Sequence, residues 1–231
     1  MTKKPQPVFS FKPEASGFTI LRDQEPLQTP RNLAVIVPTQ KLAEAIVEEC
    51  VGQGERLDLR KMPMTQMTLT ALDIATAHRG EVIDGIMRYG ESEHLCQRAL
   101  EPDDLVAEQN KVWQPYLDWC RERFGADLRI GSGIVPFTQS PQALGALRTF
   151  VETFDTFPLI GVSEAVGICG SLVLGLALVT GYADVETILK TAELDHLWQA
   201  KKWGTDPATE NRYAGIKRDL EDCARWLLLL D

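Results

Sequence analysis

Apolar positions along this chain follow two rhythms. Near the start they cluster in short dense runs, and further on they recur every three or four residues. Phe18–Arg22 and Leu33–Val37 are rich in β-branched and large apolar side chains, which predicts two strands. Pro26–Thr29 predicts a short strand between them, with Asp23-Gln24-Glu25 as the turn, although that turn lacks the Gly a tight hairpin prefers. Pro38 closes the second strand. From Thr39 the period lengthens. Leu42, Ala43, Ile46, Val47 and Cys50 share one face of a helix capped by Thr39 and ended by Gly52 and Gly54. Pro63 to Asp73 reads as a short helix. Val82, Ile83, Ile86 and Met87 place another over 81–89, stopped by Gly90. His94–Arg98 reads as a strand. Asp103 and Asp104 open a longer helix reaching Phe124, which Pro115 should kink or divide. Leu128–Ile130 predicts a last strand, and Pro136 and Pro141 bracket a polar, linker-like stretch.

Everything after that stretch reads helical. Residues 165–183 carry no charge and are long enough to cross a bilayer. Their flanks argue against a span: Glu164, Asp184 and Glu186 border the run, and Arg148 and Lys190 are the nearest basic residues. The run is better read as one central, buried helix. Ser163, Gly167, Ser171 and Gly175 recur every four residues, a stripe of small side chains that lets another helix approach closely. The last helix starts at Asp206, a plausible N-cap, with Pro207 in its first turn. Its stripe of Tyr213, Ile216, Leu220, Cys223, Leu227 and Leu230 needs a partner surface, and the 165–183 run is the obvious one. Trp226, Leu228 and Leu229 fall outside the stripe and are either further core or an exposed patch.

This pattern predicts an α+β fold. A mixed, β-rich N-terminal domain over 1–134 precedes an all-α C-terminal domain over 135–231 with a central buried helix. The total length of 231 residues suits one large or two modest domains. With 24 basic and 33 acidic residues, the formal charge of −9 argues against a general binder of nucleic-acid backbone, which needs a basic footprint. The five cysteines, Cys50, Cys96, Cys120, Cys169 and Cys223, are scattered, with no CxxC pair. They read as packed thiols in a reducing compartment, and neither a disulfide framework nor a metal site is expected. The segment Met1-Thr2-Lys3-Lys4-Pro5 has charge but no apolar stretch behind it, so it reads as a short mobile tail.

A search for chemistry finds little. There is no P-loop, and Gly131 and Gly133 make a lone GxG without a third glycine. Ser163 follows Gly161, but Ala165 stands where a nucleophile elbow needs Gly. His78, His94 and His196 have no metal-ligand spacing. No catalytic residue, metal site or cofactor is therefore assigned. One cluster stands apart: Glu193-Leu194-Asp195-His196-Leu197-Trp198-Gln199-Ala200-Lys201-Lys202-Trp203-Gly204. Leu194, Leu197 and Trp198 share a face that should be buried, while Asp195, Gln199 and Lys202 should be reachable. Two Trp beside acids and an amide suit an interface anchor. The alternative is that both rings are core and the charges merely solvate the helix.

The same cluster carries a resemblance. LDHLWQAKKWG is similar to the C-terminal signature of the assembly chaperones that attend the α subunit of the F-type ATP synthase catalytic sector. Further stretches resemble that family in the same order: VPTQKLAEAIVEEC at 37–50, MPMTQMTLTALD at 62–73, RYGESEHLCQRA at 88–99, VWQPYLDW at 112–119 and GSLVLGLAL at 170–178. The resemblance implies a β-rich N-terminal domain, a helical C-terminal domain and a non-enzymatic role. That role is to bind free α subunit and cover the surface it later gives to β. It implies partner-binding residues among Glu193, Asp195, Trp198, Gln199, Trp203 and Gly204, with an acidic residue at the place of Asp195 most tied to function. Cys50 stands where the family usually has Trp, and Leu69 where Asn is common. No nucleic acid, membrane or cofactor is expected. The free protein is expected to be a monomer in a bacterial cytoplasm, with eukaryotic relatives in the mitochondrial matrix. The competing readings are a small-molecule hydrolase using C-terminal carboxylates and a membrane-associated protein using 165–183.

Overall fold

A computed structural model of the protein describes residues 6–53, 56–133 and 137–231. The expectations placed on the N-terminal tail, on Gly54, on Pro136 and on a boundary between 134 and 135 lie outside the described residues. The fold is α+β, with a small antiparallel sheet near the start and helices through most of the rest. The described residues divide into two compact units. One lies within Met1–Arg79, Thr156–Ile160 and Arg225–Asp231, the other within Gly80–Asp155 and Gly161–Ala224.

The first unit is built on strands β1 (Phe9–Glu14), β2 (Gly17–Arg22), β3 (Glu25–Pro26) and β4 (Ile36–Val37). β2 is central: it pairs antiparallel with β1 on one edge and with β3 and β4 on the other. β1 has no counterpart among the sequence expectations, because Lys12, Pro13 and Glu14 dilute its apolar pattern. The turn between β2 and β3 does without glycine. Asp23 and Gln24 both take left-handed backbone, at φ 52° and 72°, which is what a two-residue turn matched to strand twist demands. Asp23 also exchanges backbone and side-chain hydrogen bonds with Val8, which offsets that conformation. Of the predicted Leu33–Val37 strand, only the last two residues join the ladder, and Ala34 bridges Gln28.

Helix α1 (Gln40–Gln53) starts as expected, with the Leu42 N–H donating to Thr39 Oγ1. It buries Leu42, Ala43, Ile46 and Cys50. Its Glu49 carboxylate caps the next helix, α2 (Pro63–Thr70), accepting from the N–H groups of Met64 and Thr65 and from the Thr65 hydroxyl at 2.7–2.9 Å. Burial raises the Glu49 pKa against those bonds. Trp226 stacks on Phe157 and donates its indole N–H to the Phe157 carbonyl, so this tryptophan is core, whereas Leu228 is exposed.

The second unit centres on α4 (Asp103–Phe124), which buries Leu105, Gln109, Trp113, Tyr116, Leu117 and Cys120 on one face. Pro115 lies on its exposed side within a single continuous helix. Ahead of it, α3 (Arg79–Glu91) does not stop at Gly90. Gly90 lies inside the helix, where an added Cβ would meet the Leu172 side chain at 2.8 Å. The predicted strand at His94–Arg98 is a single helical turn, His94–Cys96, followed by β5 (Gln97–Arg98). β5 pairs in parallel with β6 (Gly131–Ser132), which replaces the strand expected at 128–130. Then follow α5 (Pro141–Val151), α6 (Thr156–Cys169), α7 (Leu172–Val179), α8 (Val185–Ala192), α9 (Leu194–Trp203) and α10 (Pro207–Leu229).

The long apolar run is thus two helices rather than one. Gly170 ends α6 in left-handed backbone at φ 62°, and Ser171 caps α7 by accepting from the Leu174 N–H. The small-residue stripe is used for a turn-and-return packing instead of a straight seam. A Cβ on Gly175 would lie 2.8 Å from the Val166 backbone nitrogen. Every residue of α7 from Leu172 to Leu178 is buried. Glu93, itself buried, accepts hydrogen bonds from the Ser171 hydroxyl and the Val173 N–H at the start of α7, and desolvation raises its pKa. Asp206 caps α10 through the Thr209 N–H at 2.8 Å, as its sequence predicts. All five cysteines are buried and free; burial pushes the Cys50 thiol to about 11 and those of Cys96, Cys120 and Cys223 to about 12. Among the described residues, no helix is long and apolar enough to cross a membrane, and no group of three or more His, Cys, Asp or Glu is placed to hold a metal ion.

Candidate functional site

Helix α9 carries the predicted cluster, and local signals explain its ends. Glu193 serves as both the last cap of α8 and the first of α9. Asp195 sits in the first turn and Lys201 and Lys202 in the last, each favourable to the helix dipole. Gly204 closes the helix at φ 86°, a conformation that penalises any Cβ, with its N–H donating to the Ala200 carbonyl.

The cluster separates into inward and outward members. Glu193 is buried and paired with the Arg212 guanidinium from α10, with His196 Nδ1 at 3.4 Å. It locks the α8–α9 junction to α10, so its charge is already met within the chain. Asp195 is half-buried. Its Oδ1 accepts from Nε2 of Gln109 at 2.8 Å, and Oε1 of the same amide accepts the Ala99 N–H at 2.8 Å. Gln109 is 1% exposed, so the Asp195 carboxylate is held by a buried, doubly bonded amide. Gln199 is exposed. Trp203 is 74% exposed, an unusual setting for the largest side chain, and it meets Trp198 edge-on at 5.6 Å. Lys202 lies 4.7 Å from the Trp198 ring centre and pairs with Asp104 of α4 at 2.6 Å. The Asp104 carboxyl is held below its usual range chiefly by that Lys202 hydrogen bond.

One burial expectation fails. Leu194 is buried, but Leu197 is 38% exposed and Trp198 only half-buried, because that end of the face borders an open cavity instead of packed core. Spacing of seven places Asp195 and Lys202 on one stripe, with Gln199 beside them and the two indoles flanking. The result is a carboxylate, an amide and a cation between two aromatic rings on one helix face. Such a surface suits protein recognition, with fixed polar groups beside apolar anchors.

Sequence reasoning missed the supports of this face. Gln109 stands four residues from Leu105 and four from Trp113, a polar residue on an apolar stripe, which is the signal that could have found it. His94, tilted at 59° against Trp113 with ring centres 5.0 Å apart, has its pKa lowered by burial, with Asp195 opposing that shift.

Comparison with known proteins places the fold among relatives. A family described as ATP12 chaperone protein matches residues 6–121. The crystal structure of Atp12 from Paracoccus denitrificans superposes with a TM-score of 0.90 at 33% identity, covering 96% of each chain. A putative chaperone from Agrobacterium tumefaciens superposes equally well, TM-score 0.90 at 30% identity over 96% of this chain and 84% of that one. The mitochondrial atp12 protein of Schizosaccharomyces pombe is 21% identical over 222 residues, covering 87% of this chain and 76% of the relative. A full-length structural match above 30% identity, with a family match across half the chain, identifies this protein as a member of the ATP12 chaperone family.

Proposed function

We propose that this chain binds the unassembled α subunit of the F-type ATP synthase catalytic sector, shields its subunit interface and promotes hexamer assembly. The observation that carries the reading is the exposed Trp203, edge-on to Trp198 and beside a braced Asp195, on a chain of a chaperone family. An unassembled subunit displays an apolar interface, which is an aggregation hazard until its partner arrives. A holdase must cover that area and then yield it, which calls for a few anchors within a polar rim. Trp198 and Trp203 supply the anchors. Asp195 supplies a charge for a basic group of the client, with Gln199 and Gly204 at the rim. Glu193, paired with Arg212, holds the helix that presents them. The work is binding rather than catalysis and needs no nucleotide site on this chain. A bacterial cytoplasm is the expected setting, the counterpart of the mitochondrion named for the yeast relative.

Co-expression with the isolated α subunit tests the reading, with β as the control client. The expected result is soluble α that co-purifies, no such effect on β, and loss of retention with Asp195→Ala and Asp195→Lys. Equal aggregation of α with and without the protein contradicts the reading, and full retention by both Asp195 variants removes that residue from it.

A further inference from the structure

Helix α4 holds the recognition face in register. Asp104, Gln109 and Trp113 of α4 are tied in turn to Lys202, to Asp195 and to the Thr191 carbonyl, at 2.6, 2.8 and 3.0 Å. Partners that ascend along α4 descend through α9 to the end of α8, so the helices run antiparallel at these ties. Gln109 and Trp113 are buried, whereas the Asp104 and Lys202 side chains are both partly exposed. An exposed ion pair adds little stability, so its place beside the indoles asks for another use. The Lys202 ammonium lies 4.7 Å from the Trp198 ring centre, within reach of the ring's negative face. Trp198 and Lys202 are four apart and so are neighbours on the helix surface. Trp198 in turn meets Trp203 edge-on, at 5.6 Å and 83°. Trp203 is 74% exposed, and among the described residues Trp198 is its one ring neighbour. A lysine stem is flexible, and the Asp104 carboxylate pins its end. Asp104 is itself placed by the first turn of α4. Its Oδ1 accepts the Leu105 N–H at 3.0 Å while Oδ2 meets Lys202.

We infer that Asp104 and Lys202 are positioning residues for the indole pair that binds the client. Support passes from α4 through the Asp104 carboxylate and the Lys202 ammonium to the Trp198 ring, and from that ring to Trp203. The inference rests on the α-subunit reading and deepens it. It gives the Lys202 charge a task within the chain, where its helix position alone would offer it to the client. An aromatic anchor already held in its bound orientation loses less freedom on binding than one that swings free. The clamp therefore acts on affinity more than on stability. Lys201, one residue earlier, is exposed and makes neither an ion pair nor a ring contact among the described residues, which makes it the natural comparison.

The test uses four variants of the full chain. Lys202→Met keeps an unbranched stem and removes the charge. Lys202→Arg keeps a cation that pairs with carboxylates and stacks on indoles. Asp104→Asn, on a different helix from both indoles, removes the pin. Lys201→Met removes the same charge one residue away. Two indoles this close give an exciton couplet in far-ultraviolet circular dichroism, and the part of the signal that Trp203→Phe removes belongs to this pair. In the free protein, Lys202→Met and Asp104→Asn should lose much of that part, while Lys202→Arg and Lys201→Met keep it. On co-expression, Lys202→Met and Asp104→Asn should each weaken α retention about threefold to tenfold, the effect of losing one cation–π contact with its exposed ion pair. Their Tm should stay within about 4 °C of the parent. Lys202→Arg should recover most of the retention. A couplet indifferent to Lys202→Met and Asp104→Asn overturns the clamp. So does Lys201→Met weakening retention as much as Lys202→Met, since net charge would then be the cause. A lost couplet with full α retention overturns the role in binding and leaves the client reading standing. Failure of α to co-purify with the unmodified chain overturns the client reading and that role with it, whatever the couplet shows.

Discussion

Asp195 could serve the client or merely the fold, and Gln109 separates the two. Gln109→Leu keeps the volume and removes both hydrogen bonds of the amide. The Ala99 N–H, 2.8 Å from Oε1, loses its acceptor, and Asp195 loses the donor at 2.8 Å. A backbone N–H orphaned in a largely dry setting costs about 1–3 kcal/mol. The bond to the half-exposed carboxylate adds about 1 kcal/mol, the low end for a charged acceptor reached by water. The expected loss is about 3 kcal/mol, which lowers Tm by about 6–12 °C in a chain of this size. Asp195→Asn keeps Oδ1 as acceptor for Gln109 and removes only the charge. It should cost under about 1 kcal/mol and so shift Tm by at most a few degrees. Client retention should rank the other way, with Asp195→Asn as poor as Asp195→Ala. Differential scanning calorimetry and α co-purification on the same preparations give both numbers. If Asp195→Asn unfolds as early as Gln109→Leu, the carboxylate is a structural member and the assignment of Asp195 to the client is refuted.

Other outcomes follow from the packing. Gly175→Ala would drive a Cβ into Val166, 2.4 Å from Cγ2 and 2.8 Å from the backbone nitrogen, and should destabilise by about 2–3 kcal/mol in urea unfolding. Glu93→Gln should show a pH signature. The carboxyl pKa is raised in the fold, so the folded state takes up its proton first as pH falls, and the stability tied to Glu93 grows on acidification and is lost as pH rises through the folded pKa. The stability of the parent relative to Glu93→Gln should therefore increase as pH is lowered toward the ordinary carboxylate range; a difference flat in pH contradicts this. Gln24→Gly, at φ 72°, should stabilise the chain by up to about 1 kcal/mol in thermal melts, since glycine takes that conformation without strain.

What the sequence made legible were features written in neighbouring residues. Thr39 before an apolar stripe and Asp206-Pro207 before another marked helix starts that the structure keeps. Gly170-Ser171 also announced a helix end and a helix start, but the unbroken apolar content of 165–183 masked it, because hydrophobicity alone does not distinguish one buried helix from two. Gly90 misled in the opposite sense. A glycine can mark a stop or a close approach, and only the tertiary neighbour Leu172 decides which. The cluster on α9 was visible as a sequence, but its sorting was not. Glu193 turns inward because of Arg212, nineteen residues on, and Asp195 is braced by Gln109, eighty-six residues away. Leu197 obeyed the spacing of a core position and yet stays 38% exposed, because spacing along one helix does not say how much of its face the neighbouring helices cover.

The most direct measurement of the central claim is a displacement experiment. Purified α subunit is diluted from denaturant into a stoichiometric amount of this protein, light scattering is followed, and purified β is then added. The account predicts suppressed scattering, a soluble complex with α, and release of this protein as α and β associate. Unchanged scattering would contradict a holdase, and a stable complex of all three chains would contradict the claim that this protein occupies the surface β takes.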